Sequence, residues 1–194
     1  MTAFTANDFS TLIGMPGFSE ALLNNHFTLY QGYVKNTNTL DEQLTQLRRD
    51  GKGADPTFAE LKRRFGWEFN GMRLHELYFD NLGGHQPINM EGRLVARLHQ
   101  DFGSYDEWVQ DFKAVGAMRG IGWAILYQDV TNGRLLNCWI NEHDAGHPAG
   151  CVPILVMDVF EHAYMTDYGI KRADYISSFF QNIEWTKAEE RMQM

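Results

Sequence analysis

The chain is predicted to be an α+β protein: an N-terminal long helical hairpin, then a mixed domain with a small three-stranded antiparallel sheet flanked by helices. Three observations predict it. Apolar residues recur at three-to-four spacing through two long N-terminal segments, a glycine- and proline-bearing break separates those segments, and the period becomes alternating from Trp123 onward.

The first segment, Phe18 to about Arg49, places Leu22, Leu23, His26, Tyr30, Tyr33, Val34, Leu40, Leu44 and Leu47 along one helical face. Asp50-Gly-Lys-Gly-Ala-Asp-Pro56 interrupts it, and Asp55-Pro56 reads as the N-cap and first residue of a second helix reaching about Asn81. Two long helices joined by so short a loop form an antiparallel hairpin. Gly83-Gly-His-Gln-Pro87 ends it, so the expected division is a helical hairpin domain over 1–84 and an α/β domain over 85–194. A helix is predicted near Met90 to Phe102, and Ser104 with Glu107 three residues on forms the capping box of the next. Trp123–Tyr127 and Leu135–Ile140 are predicted strands around Thr131-Asn132-Gly133, whose Asn-Gly pair signals a hairpin turn. Ile154–Met157 supplies the third strand. Residues 163–169 and about 173–183 are expected as short closing helices, and no repeat or low-complexity stretch interrupts the chain.

A chain of 194 residues with 44% hydrophobic and 13% aromatic content can bury a sizeable core in one domain or two tightly packed subdomains. Two cysteines, Cys138 and Cys151, are too few for a stapled secreted fold and are expected as reduced, partly buried thiols. The N-terminal residues have no basic start followed by an apolar stretch, and no segment is apolar for long enough to span a bilayer, so a soluble cytoplasmic protein is expected. A net charge of −8 argues against nucleic acid as a partner, because phosphate binding needs a basic face.

Chemistry concentrates near the C-terminus, where Asp158 and His162 stand four apart just after the apolar run Ile154-Leu-Val-Met157. A carboxylate oxygen and a neutral imidazole suit manganese, iron or zinc, and a strand turning into a helix can aim both at one point. Of the seven histidines, His26 and His75 lie on the apolar faces of the two long helices. Each is either a hydrogen-bonded core residue or a further ligand. His143 and His147 fall in the loop Asn141–Pro148, where a histidine is either solvated or functional, while His85 and His99 read as surface residues.

Together these residues resemble the iron/manganese superoxide dismutases. That family carries Asp-x-Trp-Glu-His-Ala-x-Tyr, against Asp158-Val-Phe160-Glu161-His162-Ala163-Tyr164-Met165 here. Tyr168, Arg172, Asp174-Tyr175 and Asn182-Ile-Glu-Trp185 fall at the family's spacings. His75-Glu-Leu-Tyr-Phe79-Asp-Asn81-Leu82 is similar to its His-x-x-Phe-Trp-x-Asn-Leu segment, and Gly120-Ile-Gly-Trp123 to its Gly-x-Gly-Trp. The resemblance covers about residues 18 to 191. It implies one iron or manganese ion per subunit, with His26, His75, Asp158 and His162 as ligands beside one bound solvent, and superoxide as substrate. Tyr33 and His143 are implied as the proton-delivering pair, His143 standing where the family has glutamine or, in some iron enzymes, histidine. Trp123, Phe79, Phe160, Tyr164 and Arg172 are implied around them, and Lys171 with Arg172 would give an acidic protein a basic funnel for an anion. Glu161 is implied as the bridge to the ligand histidine of a neighbouring subunit, hence a homodimer, with a tetramer as the alternative.

The chain also departs from the family. Members place eight residue steps between the first ligand histidine and the funnel tyrosine, whereas His26 to Tyr33 is seven. At 100° per step, seven return to within about 20° of the start while eight overshoot by about 80°, so eight require a π-bulge that seven do not. The other register puts Asn25 at the ligand position. Phe79 and Phe160 replace tryptophans, Leu29 or Tyr30 replaces a funnel histidine, and Met165 replaces the tyrosine that pairs with it across the subunit interface. These changes leave two alternatives beside a dismutase: a non-catalytic metal-binding family member, or another mononuclear iron oxidoreductase.

Overall fold

The computed structural model describes residues 2–193 and has the α+β architecture expected. Helix α1 spans Glu20–Arg49 and α2 spans Pro56–Asp80. Ser19 caps α1 by accepting the Leu22 N–H at 3.0 Å, and Asp55 caps α2 by accepting the Thr57 N–H at 2.7 Å. Contacts along their seam run in opposite directions: Asn36 meets Glu68, Tyr33 meets Gly71, Tyr30 meets Glu76, and His26 meets Phe79. This is the antiparallel hairpin.

After it come α3 (Arg93–Phe102) and α4 (Tyr105–Gly116), then β1 (Gly122–Asp129), β2 (Leu135–Asn141) and β3 (Cys151–Asp158), and finally α5 (Met165–Tyr168), α6 (Arg172–Gln181) and α7 (Trp185–Arg191). Helix α3 starts three residues later than expected, because Asn89–Gly92 forms a turn first. Ser104 caps α4 by accepting the Glu107 N–H, and its own hydroxyl donates to the Glu107 carboxylate. The strands pair antiparallel in the order β2-β1-β3. Each outruns its sequence signal. Strand β3 begins at Cys151 and carries Pro153 through a register shift opposite Leu126/Tyr127, a place on an edge strand where proline's missing N–H is tolerated. The β1–β2 connection is a five-residue loop rather than a two-residue hairpin, with Gly133 at φ 74° and the Asp129 and Asn132 side chains bonding its backbone. Helix α7 and a 3₁₀ turn at Ser10–Leu12 went unpredicted. Both are too short to show a helical period.

One continuous core joins the hairpin to the sheet, with α4 against β1 and β2, and α2 and α7 against β3. The joint between hairpin and sheet is polar. Asn81, fully buried just past the end of α2, accepts from the Val156 N–H at 3.0 Å and donates to the Val156 carbonyl at 3.2 Å. Arg191 of α7 reaches the Asn81 amide oxygen, the Leu77 and Ile154 carbonyls and the Asp80 carboxylate. Strand β3 is thereby locked against α2 two residues before Asp158. Both cysteines are free and half-buried, and among the described residues no helix is long and apolar enough to cross a membrane.

Asn81→Leu keeps the branched shape, with somewhat greater bulk, but strands the Val156 N–H and carbonyl, so it is expected to destabilise the fold by at least about 2 kcal/mol. A urea midpoint unchanged from the parent would contradict that role for the joint.

Candidate metal centre

The two helices of the hairpin and the end of β3 deliver four donor side chains to one place. His26 comes from α1, His75 from α2, Asp158 from the last residue of β3, and His162 from a 3₁₀ turn over Glu161–Ala163. One donor atom from each lies within 4.8 Å of the others. Asp158, His26 and His75 are buried, and the His162 side chain is 24% exposed. Helix α1 runs without a π-bulge, so His26 and Tyr33 share a face at seven steps, while Asn25 points out to solvent.

The carboxylate is held in one orientation. Its Oδ1 accepts the Phe160 N–H at 2.8 Å, and the Tyr175 hydroxyl donates to the Asp158 carbonyl at 2.6 Å. Oδ2 therefore faces the three imidazoles, with the Nε2 atoms of His26 and His162 at 3.1 Å and that of His75 at 3.5 Å. His75 Nδ1 sits 2.5 Å from the Gly71 carbonyl, an acceptor only, so Nδ1 carries the proton and Nε2 a lone pair. That buried Nε2 has no hydrogen-bond partner among the described residues. It faces a carboxylate oxygen, so two electron-rich atoms meet in a buried site, an arrangement that a shared cation relieves. Ligands about 2.1 Å from one ion stand about 3–3.6 Å apart when they subtend 90–120°, which matches the three distances from Asp158 Oδ2 to the imidazoles. The protonation states agree. Burial acts to raise the Asp158 carboxyl, but the His162 and His26 imidazoles outweigh it and hold it well below the usual range. Burial lowers both His26 and His75, the latter strongly. An ionised carboxylate and a neutral His75 with its lone pair on Nε2 are forms that bind metal.

Aromatic rings wall the site: Phe79 4.8 Å from His26, Trp123 edge-on to His75 at 5.0 Å, and Phe160 stacked on both His143 and His162. His143, fully buried, is far from a solvated loop residue. The Trp123 indole, a donor only, gives its N–H to His143 Nδ1 at 3.1 Å. The proton of the neutral ring is then on Nε2, which donates to the Tyr33 hydroxyl oxygen at 2.7 Å and leaves the Tyr33 proton free to point elsewhere. Burial pulls His143 down to about 4. Burial, with the negative charge of Asp158, raises Tyr33. Both stay neutral near pH 7.

The remaining residues divide. Tyr164 stacks on Tyr175, and the half-buried Arg172 donates from its guanidinium to the Met118 and Gly120 carbonyls and the Tyr164 hydroxyl. Lys171 is exposed, and so are His85 and His99. Tyr30 is buried, accepting from the Asn7 N–H and donating to Glu76. Glu161 is exposed, with no hydrogen-bond or ion-pair partner among the described residues. Sequence reasoning passed over Trp67, whose ring lies 4.5 Å from His143 and whose indole donates to Glu142, and Arg64, stacked 3.9 Å above Trp67. The spacing of Arg64, Trp67 and Gly71 along α2 put them on the Tyr33 side, but no residue type among them signals a site.

The profile described as iron/manganese superoxide dismutases, C-terminal domain, matches residues 90–191. A superoxide dismutase named for manganese from Haloferax volcanii is 37% identical over 180 residues, covering 91% of this chain and 87% of its own. One named for iron from Cupriavidus metallidurans is 38% identical over 182 residues, 91% and 89% of the two chains. Another named for iron, from Aquifex pyrophilus, is 35% identical over 184 residues, 92% and 86%.

A Cβ on Gly71 would stand 2.6 Å from the Tyr33 ring. Gly71→Ala adds helix propensity worth about 1 kcal/mol, but overpacking an enclosed ring costs about 1–3 kcal/mol. Net destabilisation is expected, read as a lower thermal midpoint; a midpoint raised by the full propensity gain would mean that Tyr33 moves freely.

Proposed function

The chain belongs to the iron/manganese superoxide dismutases, and on that premise we propose that it converts superoxide to dioxygen and hydrogen peroxide at one iron or manganese ion per subunit, held by His26, His75, Asp158 and His162. The single observation that carries the reading is the buried, unpartnered His75 Nε2 aimed at the Asp158 carboxylate. Relatives named for either metal, and a donor set that serves both, keep iron and manganese together in the proposal. When bound, such an ion supplies a one-electron couple, taking an electron from one superoxide and returning it to a second, which zinc has no means to do.

The protein's own residues do the rest. Two superoxide anions and two protons become one dioxygen and one hydrogen peroxide, so protons must reach a dry pocket. Tyr33 Oη holds one, and the His143 Nε2–H behind it supports that oxygen when the proton is lent. Asp158 sets one negative charge against neutral imidazoles, which favours the higher oxidation state. Phe79, Phe160 and Trp123 exclude water. Leu29 or Tyr30, and Met165, stand where the family carries a paired histidine and tyrosine, so the proton route narrows to Tyr33 and His143.

The working form is a homodimer. Glu161 is the unpartnered carboxylate next to His162, and around it lie Met118, Met165 and the 93% exposed Ile170. Exposed apolar side chains beside a free carboxylate, with Arg119 and Arg172 on the same surface, suit a second copy of the chain, in which Glu161 accepts a hydrogen bond from the partner's ligand imidazole.

Purified protein is expected to carry about one iron or manganese ion per chain, and His162→Ala to lose metal and superoxide consumption together. Metal-replete protein no faster than the free ion would overturn the assignment. Glu161→Ala is expected to shift the mass measured by light scattering from dimer towards monomer. A parent protein that is itself monomeric would remove the bridge.

A further inference from the structure

The turn that carries His143 is unusual. Glu142 has φ 50°, a left-handed conformation uncommon for a residue with a side chain, and Asn141 and Ala145 bond each other's backbones in both directions. Within this turn His147 Nε2 lies 2.9 Å from the His143 carbonyl, and His147 Nδ1 lies 2.6 Å from the Tyr127 hydroxyl. A carbonyl only accepts, so Nε2 carries the proton; Nδ1 must then accept the Tyr127 O–H. Burial raises Tyr127, which keeps that phenol proton in place. The Asn70 side-chain amide of α2 lies 3.4 Å from the same Nε2. His147 therefore ties the peptide of His143 to Tyr127 on β1. The His143 carbonyl takes no other bond among the described residues.

We propose that His147 is a positioning residue: it fixes the peptide of His143, and through it the imidazole that takes the Trp123 indole N–H and supports the Tyr33 hydroxyl. The chain of bonds is continuous from Tyr127 Oη through the His147 ring to the His143 carbonyl, and from the His143 ring to Tyr33 Oη. Its consequence for turnover rests on the dismutase reading; the placement of His143 does not.

The test compares His147→Leu, which keeps bulk but removes the donor, with His147→Gln, whose amide N–H occupies the place of Nε2–H. In the proton–nitrogen spectrum of the full-length protein, five indole signals are expected, that of Trp123 being assigned with Trp123→Phe. In His147→Leu the Trp123 signal moves and exchanges faster with solvent while those of the distant Trp108 and Trp185 stay, and His147→Gln restores it. In protein loaded with iron or manganese, His147→Leu lowers kcat by about tenfold with KM unchanged, and His147→Gln recovers it. A Trp123 signal unmoved in His147→Leu overturns the proposal, as does a change that His147→Gln fails to reverse. If His147→Leu does not fold, a shifted Trp123 signal in His147→Gln overturns it and an unshifted one supports it. Loaded parent protein that consumes no superoxide overturns the dismutase reading instead, and the indole spectrum still decides the role of His147.

Discussion

A buried negative charge with too few protons around it organises this molecule. Asp158 Oδ2 stands among three imidazole nitrogens, and one of them, His75 Nε2, has its proton committed on the other side of the ring to the Gly71 carbonyl. Lone pair against carboxylate in a buried pocket is unfavourable unless something positive sits between. The fold tolerates the arrangement because every group that builds it is fastened from behind: Asp158 by the Phe160 N–H and the Tyr175 hydroxyl, His75 by Gly71, and the β3 backbone by Asn81.

The same economy of donors and acceptors runs outward from the site. The Trp123 indole only donates, so it sets the tautomer of His143; the His143 carbonyl only accepts, so it sets the tautomer of His147. In each case a group with one possible role removes the freedom of a group with two. The outcome is a neutral imidazole, pulled down to about 4 by burial, presenting its N–H to Tyr33. The phenol keeps its proton because burial and the Asp158 charge oppose ionisation.

Where the chain departs from its family, packing has been rebuilt rather than lost. Phe160 stacks between His143 and His162, giving up an indole donor but keeping a ring wall. Tyr30 turns away into a bond with Glu76, which itself pairs with Arg73. The one-residue-shorter interval between His26 and Tyr33 is absorbed by a helix that stays regular, as the 100° rotation per residue requires.

The sequence by itself determined the fold class, the helical hairpin with its Asp55-Pro56 start, the approximate positions of the three strands, and Asp158 with His162 as a pair of donors. These follow from local periods, caps and donor chemistry, each readable within a few residues, whereas the joining of His26 and His75 to that pair was implied only by the likeness to the dismutase motifs. Tertiary structure alone decided the rest. It chose His26 over Asn25 by the direction each faces, buried His143, spent Arg172 on backbone carbonyls, and brought Trp67, Arg64 and His147 to the rim of the site. Those outcomes depend on which surfaces meet across tens of residues of chain, as when Trp67 finds Glu142, 75 residues on. No local pattern carries that information, because a tryptophan on a helix or a histidine in a loop has the same propensity wherever its partner lies.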